Sequence, residues 1–205
     1  MAEEIDRYYY ERTAAEHGFE CVCGIDEAGR GPLAGPVFAA AVILPKDYII
    51  EGLNDSKKLS EKKREALFPV ICEKAVAYAI ASVDEKEIDA TDILSARMKA
   101  MQLAIDALQI PADYALIDGN RTKDFGLPVR TIVKGDSLSA SIAAASILAK
   151  VTRDRLMEEY DAQYPQYGFD VHKGYGTKRH YEALREFGPS PIHRKTFLKK
   201  FYENP

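Results

Sequence analysis

Asp26 and Glu27 close an apolar run and are followed at once by Gly29-Arg30-Gly31-Pro32-Leu33-Ala34-Gly35-Pro36, a turn that bulky residues would not make. Two adjacent carboxylates beside apolar sequence are costly to bury, because each loses hydration and the two repel; a bound cation removes both penalties. Gly29, Gly31 and Gly35 allow positive φ and close backbone approach, so main-chain N–H groups can reach a phosphate or a sugar hydroxyl. The plain alternative for this segment is a tight hairpin with surface acids.

Two further apolar segments also end in acids, at Asp118-Gly119-Asn120 and at Lys134-Gly135-Asp136. Ligands of α/β sheets bind at strand ends, so acids converging there form an oxygen-only site for a hard divalent cation, Mg2+ or Mn2+. Singly, Asp118 also fits a turn and Asp136 the N-cap of a following helix. Asp154 is expected on the same helix as Asp136, about 27 Å further along. It therefore cannot share that site, and it is expected to pair with Lys150 four residues before it. Zinc chemistry does not fit, because His17, His172, His180 and His193 lack metal-ligand spacing. Cys21 and Cys23 flank Val22 on a strand and read as packed thiols. A dinucleotide-binding turn also fails, since Gly35 comes one place late and Pro36 leads into a strand where a helix should open.

These residues need elements to hold them. Strands are expected at Phe19–Asp26 and Pro36–Leu44, forming a hairpin about the glycine turn, and at Val76–Val83, Tyr114–Ile117 and Val129–Val133. Helical spacing predicts a helix capped by Ser60 and running to about Ala75, and a long helix from Glu87 to Leu108 ended by Pro111. A further long helix is expected from Ser137 to Tyr160, whose Ala140, Ala143, Ala144, Ala145 and Ala149 allow close packing on a sheet. Shorter helices are expected near Lys178–Glu186 and His193–Tyr202. The pattern is that of an α/β layer fold with a helical C-terminal piece.

The 205 residues fit one domain. The longest apolar run, Val37 to Leu44, is too short to cross a bilayer, and Met1-Ala2-Glu3-Glu4-Ile5-Asp6 lacks a basic region before an apolar core. No membrane association is expected. Three cysteines, an odd number, argue against a disulfide framework and for a reducing, cytoplasmic setting. The net charge is −4, yet residues 171–205 hold eight Lys and Arg against three Glu. Such asymmetry suits a basic arm that meets phosphates beside an acidic site that holds cations, or else a solvated helix pair.

Several stretches together resemble the bacterial ribonuclease HII family: GIDEAGRGPLAGPV at 24–37, NDSKKLSEKKR at 54–64, LIDGN at 116–120, VKGD at 133–136, SIAAASILAKVTRD at 141–154, HKGYGT at 172–177 and HRKTF at 193–197. The resemblance implies a ribonuclease H-like fold, a mixed sheet of about five strands flanked by helices. It divides the single domain into a catalytic core at 1–165 and a helical, substrate-contacting extension at 166–205. It places a four-acid catalytic and metal-binding set on Asp26, Glu27, Asp118 and Asp136. It places contacts to a ribose 2′-hydroxyl on Gly29, Arg30 and Gly31, a tyrosine packed on the adjoining deoxyribose on Tyr175, and substrate-proximal lysines on Lys57 and Lys58.

The implied activity is endonucleolytic cleavage of RNA in RNA–DNA hybrids and incision 5′ of single ribonucleotides in duplex DNA. Two divalent ions about 3.5–4 Å apart would act, leaving 3′-hydroxyl and 5′-phosphate ends. The sister family, ribonuclease HIII, carries an extra N-terminal domain, another residue in place of the arginine and a final Glu. Here fewer than thirty residues precede Asp26, Arg30 is present and the fourth acid is Asp136. The competing readings are a non-catalytic hybrid-binding protein and a two-metal nuclease acting on DNA alone. Phe201 to Pro205 does not read as a clamp-binding peptide, and a monomer is expected.

Overall fold

The two apolar runs beside the glycine turn pair with each other. In the computed structural model, which describes residues 6–46 and 48–203, β1 (Val22–Ala28) and β2 (Val37–Ile43) are antiparallel, with Asp26 opposite Ala40. β3 (Ala77–Val83) adds antiparallel to β2, while β4 (Tyr114–Asp118) and β5 (Val129–Ile132) continue in parallel from β1. The sheet order is β3-β2-β1-β4-β5, the mixed five-stranded sheet expected. Met1 to Ile5 and Asn204-Pro205, on which the leader and clamp readings partly rest, lie outside the described residues.

Helices follow in the order α1 (Tyr9–Glu16), α2 (Glu61–Lys74), α3 (Glu85–Ala90), α4 (Ile93–Asp106), α5 (Gly135–Leu138), α6 (Ala140–Gln163), α7 (Phe169–His172), α8 (Lys178–Phe187) and α9 (Lys199–Glu203). Alternate strand residues point to opposite faces. Cys23, Ile25, Ala39, Ala41 and Ile43 meet Ala96, Ala100, Met101 and Ala104 of α4 on one face. Phe38, Ala40 and Val42 meet Ala143, Ala144, Ile147 and Leu148 of α6 on the other. The close approach of α6 depends on Gly24, where a Cβ would lie 2.1 Å from the Ser141 backbone carbon. Among the described residues, no helix is long and apolar enough to cross a membrane.

Four expected boundaries change, two through local capping residues and two beside carboxylates from distant parts of the chain. The helix expected from Glu87 to Leu108 is two helices, because the Asp92 carboxylate accepts from the N–H groups of Leu94 and Ser95 and starts α4 afresh. The helix expected from Ser137 breaks at Ser139, whose Oγ caps α6 by accepting from Ile142 N. Asp136 therefore lies in α5, not on the helix of Asp154, and the capping role falls to Ser139. Asp89 accepts from Lys195 N and Thr196 N, and the segment expected to be helical from His193 starts instead as a 3-10 turn, Lys195–Leu198. β1 runs on to Ala28, while Glu20 N and Cys21 N donate to Asp113 outside it.

Ser60 caps α2 as expected, and Lys150 pairs with Asp154 at 2.6 Å. The C-terminal segment packs on the glycine turn through Leu33, Ala34, Met157, Tyr167, Phe169, Leu184, Ile192 and Leu198. Main-chain bonds fasten it: Leu33 N donates to Gly174 O, Gly35 N to Ile192 O, and Arg194 N to Leu33 O.

Candidate active site

Strand alternation decides which acids meet. Asp26 projects to the α6 face, and Asp118 ends the neighbouring parallel strand with its side chain on the same side. Asp136 reaches them from α5, so carboxylate oxygens of Asp26, Asp118 and Asp136 all lie within 4.8 Å of one another. Asp118 Oδ1 accepts from Gly135 N at 2.7 Å, which ties the end of β4 to the start of α5. Asp26 is 4 % exposed and Asp136 5 %. Burial, followed by the charges of Glu27 and Asp118, pushes the Asp26 carboxyl well above the usual range. Burial and then Asp118 and Asp55 raise that of Asp136.

Three crowded carboxylates with oxygen donors alone are destabilised as they stand, and a divalent cation would relieve both causes. The residues thus fit a Mg2+ or Mn2+ ion. Lys57 Nζ is 3.6 Å from Asp136 Oδ2. Burial works against its charge, but Asp26, Asp136, Asp55 and Asp118 together outweigh that and raise its pKa. Lys58 donates from Nζ to Ser137 Oγ at 2.9 Å, beside the cluster rather than in it.

Glu27 follows Asp26 on the strand and so points to the opposite face. Its Oε2 lies 2.8 Å from Nε of Arg97 on α4. The structure therefore brings three of the four expected acids together and sets Glu27 against an arginine. Alternation could have shown this from the sequence, as could the position of Arg97 on an otherwise apolar helix stripe.

A cleft of about 410 Å³ joins Asp26, Glu27 and Asp118 to Gly29, Arg30, Gly31, Lys57 and Tyr175. Two buried arginines shape its rim. Arg194 donates from Nε to Gly35 O, from Nη1 to Arg30 O and from Nη2 to Gly29 O, at 2.8, 3.3 and 2.6 Å. Arg153 donates to the carbonyls of Pro36, Lys173 and Ala34. Burial lowers their pKa values to about 9 and about 10, which leaves both charged at neutral pH. At Gly29, φ is +95° and a Cβ would lie 2.3 Å from Arg153 Nε. This glycine is required by its buried neighbour as well as by the open cleft. Tyr175 is half exposed and faces Gly31, where a Cβ would be 3.5 Å from its ring.

Beneath Tyr175 lie three histidines that sequence spacing did not bring together. His180 Nδ1–H donates to Tyr175 O at 2.9 Å, and His193 Nε2–H donates to His180 Nε2 at 2.9 Å. Ser190 N donates to His193 Nδ1, while His172 Nε2–H donates to Tyr167 O and its ring stacks on His180. Only neutral rings satisfy this chain. Burial pushes His180 down to about 4 and His193 to about 3. As pH falls below the ordinary histidine value of about 6.5, the unfolded chain takes up these protons while the folded chain does not, withdrawing about 1.4 kcal/mol per pH unit for each ring. Asp26 and Asp136 act in the opposite sense, so the prediction is read ring by ring. The imidazole resonances of His180 and His193 are expected not to titrate between pH 8 and pH 5 by NMR; a midpoint above 6 for either would contradict the assigned bonds.

A mixed five-stranded sheet backed by α4 and α6, with acids gathered at one end of its inner strands, is the frame of a ribonuclease H-like protein. The chain belongs to the ribonuclease HII family, whose family model matches residues 23–202. It is 58 % identical over 194 residues to ribonuclease HII of Ruminiclostridium cellulolyticum, covering 95 % of this chain and 76 % of that one. It is 52 % identical over 197 residues to ribonuclease HII of Caldicellulosiruptor saccharolyticus, covering 95 % and 96 %. The crystal structure of ribonuclease H2 from Pyrococcus horikoshii superposes with a TM-score of 0.74 at 29 % identity, covering 90 % of this chain and all of that one. The chain is accordingly an enzyme, a ribonuclease.

Proposed function

We propose that this ribonuclease cleaves the RNA strand of RNA–DNA hybrids and also incises duplex DNA on the 5′ side of a single ribonucleotide, leaving 3′-hydroxyl and 5′-phosphate ends. The observation that carries the reading is the convergence of Asp26, Asp118 and Asp136 within 4.8 Å, two of which line a cleft together with Gly29 to Gly31. When bound, two Mg2+ or Mn2+ ions would supply charge stabilisation and water activation at the scissile phosphate. Asp26, Asp118 and Asp136 would hold them, with Glu27 as the fourth acid.

The other roles belong to the chain's own groups. The carbonyls of Gly29 and Arg30 are engaged by Arg194, which leaves the turn's N–H edge and the exposed Arg30 side chain for the substrate. The 2′-hydroxyl, the group that distinguishes RNA from DNA, fits that edge. Tyr175 offers an exposed ring face to the adjoining deoxyribose. Lys57 and Lys58 present ammonium groups beside the acids, where a backbone phosphate would neutralise them. Residues 166–205 act as the substrate-contacting extension of one domain, since their histidines and Arg194 hold Tyr175 and the turn in place. The three free cysteines support a cytoplasmic setting. Burial pushes the Cys23 thiol to about 12, so it is inert.

The test uses purified protein with a long RNA–DNA hybrid and with an all-DNA duplex, each with Mg2+, with Mn2+ and with chelator. Cation-dependent cleavage of the hybrid alone supports the reading; cleavage of the all-DNA duplex contradicts it. For Tyr175→Ala, activity on a duplex with a single ribonucleotide is expected to fall by at least about tenfold more than activity on the long hybrid, given the usual 1–3 kcal/mol of an aromatic contact to nucleic acid. Equal losses on both substrates would remove its role at the junction.

A further inference from the structure

Arg97 is buried on the face of the sheet opposite the acid cluster, yet it touches two of the four acid residues. Its Nε lies 2.8 Å from Glu27 Oε2, with the two side chains 6 % and 11 % exposed. Its Nη2 donates to the main-chain oxygen of Asp118 at 2.9 Å. The contact with Glu27 is close but poorly aligned, and neither Nε nor Oε2 makes an oriented hydrogen bond. The attraction is therefore that of opposite charges at close range, and breaking it requires another positive charge to take the place of the guanidinium.

The geometry points to Arg97 as a positioning residue that parks Glu27. Its guanidinium neutralises this carboxylate while the cluster carries no divalent ion, and Glu27 leaves it only when an ion offers a stronger charge. Of the two cation positions of the proposed function, the one that Glu27 would join is the weaker on this account, and Arg97 thereby sets its affinity. This rests on the reading of the acids as a divalent-cation site. The same guanidinium lowers affinity a second way, by adding a positive charge close to the incoming ion.

Arg97→Gln tests it, because the amide can still donate towards the Asp118 carbonyl while the charge is lost. The readouts are calorimetric titration of the nucleic-acid-free protein with Mn2+ alone, and thermal unfolding with chelator and with saturating Mn2+. The weaker Mn2+ site is expected to tighten by about tenfold, a modest share of what a unit charge a few ångströms away can exert. The chelated variant is expected to unfold at a lower temperature than the parent and to regain the difference with Mn2+. Arg97→Lys, which keeps the charge, is expected to bind Mn2+ as the parent does. Unchanged or weaker Mn2+ binding by a folded Arg97→Gln, with the parent binding normally, overturns the role of Arg97 and leaves the cation site standing. Absence of Mn2+ binding in the parent overturns both.

Discussion

Asp26→Asn is expected to lower turnover by at least about a thousandfold and, in chelator, to raise the temperature of unfolding. The two effects share one cause. Asp26 is buried next to Glu27 and Asp118, and burial and repulsion hold its carboxyl well above the usual range. Ionising this group therefore costs the folded chain more than it costs the unfolded one. Each unit of such a shift withholds about 1.4 kcal/mol, and for a chain of this size 1 kcal/mol corresponds to roughly 2–4 °C in Tm. Asparagine keeps an oxygen for the bond that Asp26 Oδ1 accepts from Glu27 N at 2.7 Å, so the fold loses little. Because the folded wild type holds this proton to higher pH than the unfolded chain, it gains stability as pH falls; the variant should show a flatter slope. Undiminished turnover would remove Asp26 from the reaction. A lower Tm in chelator would show that the carboxylate stabilises the empty site.

Arg194→Met is expected to destabilise the chain by about 2–4 kcal/mol, or roughly 5–15 °C in Tm. Methionine fills much of the same space but leaves the carbonyls of Gly29, Arg30 and Gly35 without the donors that Arg194 supplies. Relief of the buried charge, whose pKa is held down to about 9, offsets part of that loss and keeps the figure below a simple sum of three bonds. Lysine should rescue poorly, because one ammonium cannot reach three carbonyls as a planar guanidinium does. The functional consequence falls on the turn rather than on the acids. KM for ribonucleotide-containing duplexes is expected to rise by about tenfold or more, while Mn2+ binding to the protein alone stays as in the parent. A rise in KM accompanied by equal weakening of Mn2+ binding would show that the damage is general. Unchanged KM would separate Arg194 from substrate recognition.

The residues that can be read from the sequence are those whose roles are local. A glycine turn between two β-branched runs gives a hairpin, Ser60 ahead of an amphipathic stretch gives a cap, and acids at the ends of apolar runs give a cluster. The two helix breaks were also local in origin: Asp92 and Ser139 are capping residues, and apolar periodicity running through them concealed the restarts. What stayed hidden depends on partners far away in the chain. Arg153 and Arg194 have no carboxylate at helical spacing because their partners are main-chain carbonyls, those of the glycine turn more than a hundred residues earlier and, for Arg153, also that of Lys173 twenty residues later. His172, His180 and His193 lie on three different segments and meet only when these fold against Tyr167 and Phe169. Glu27 lies between the two cases. Its type and neighbourhood marked it as part of a site, while the alternation that turns it towards Arg97 follows from the strand that contains it.

The central claim is tested most directly by mapping, at nucleotide resolution, the cut made in an end-labelled DNA duplex that contains one ribonucleotide, with Mg2+, with Mn2+ and with chelator. The account predicts a single cation-dependent cut immediately 5′ of the ribonucleotide, with a 3′-hydroxyl on the upstream fragment and none of it in the Asp26→Asn variant. A cut elsewhere, or cutting that persists in chelator, would contradict it.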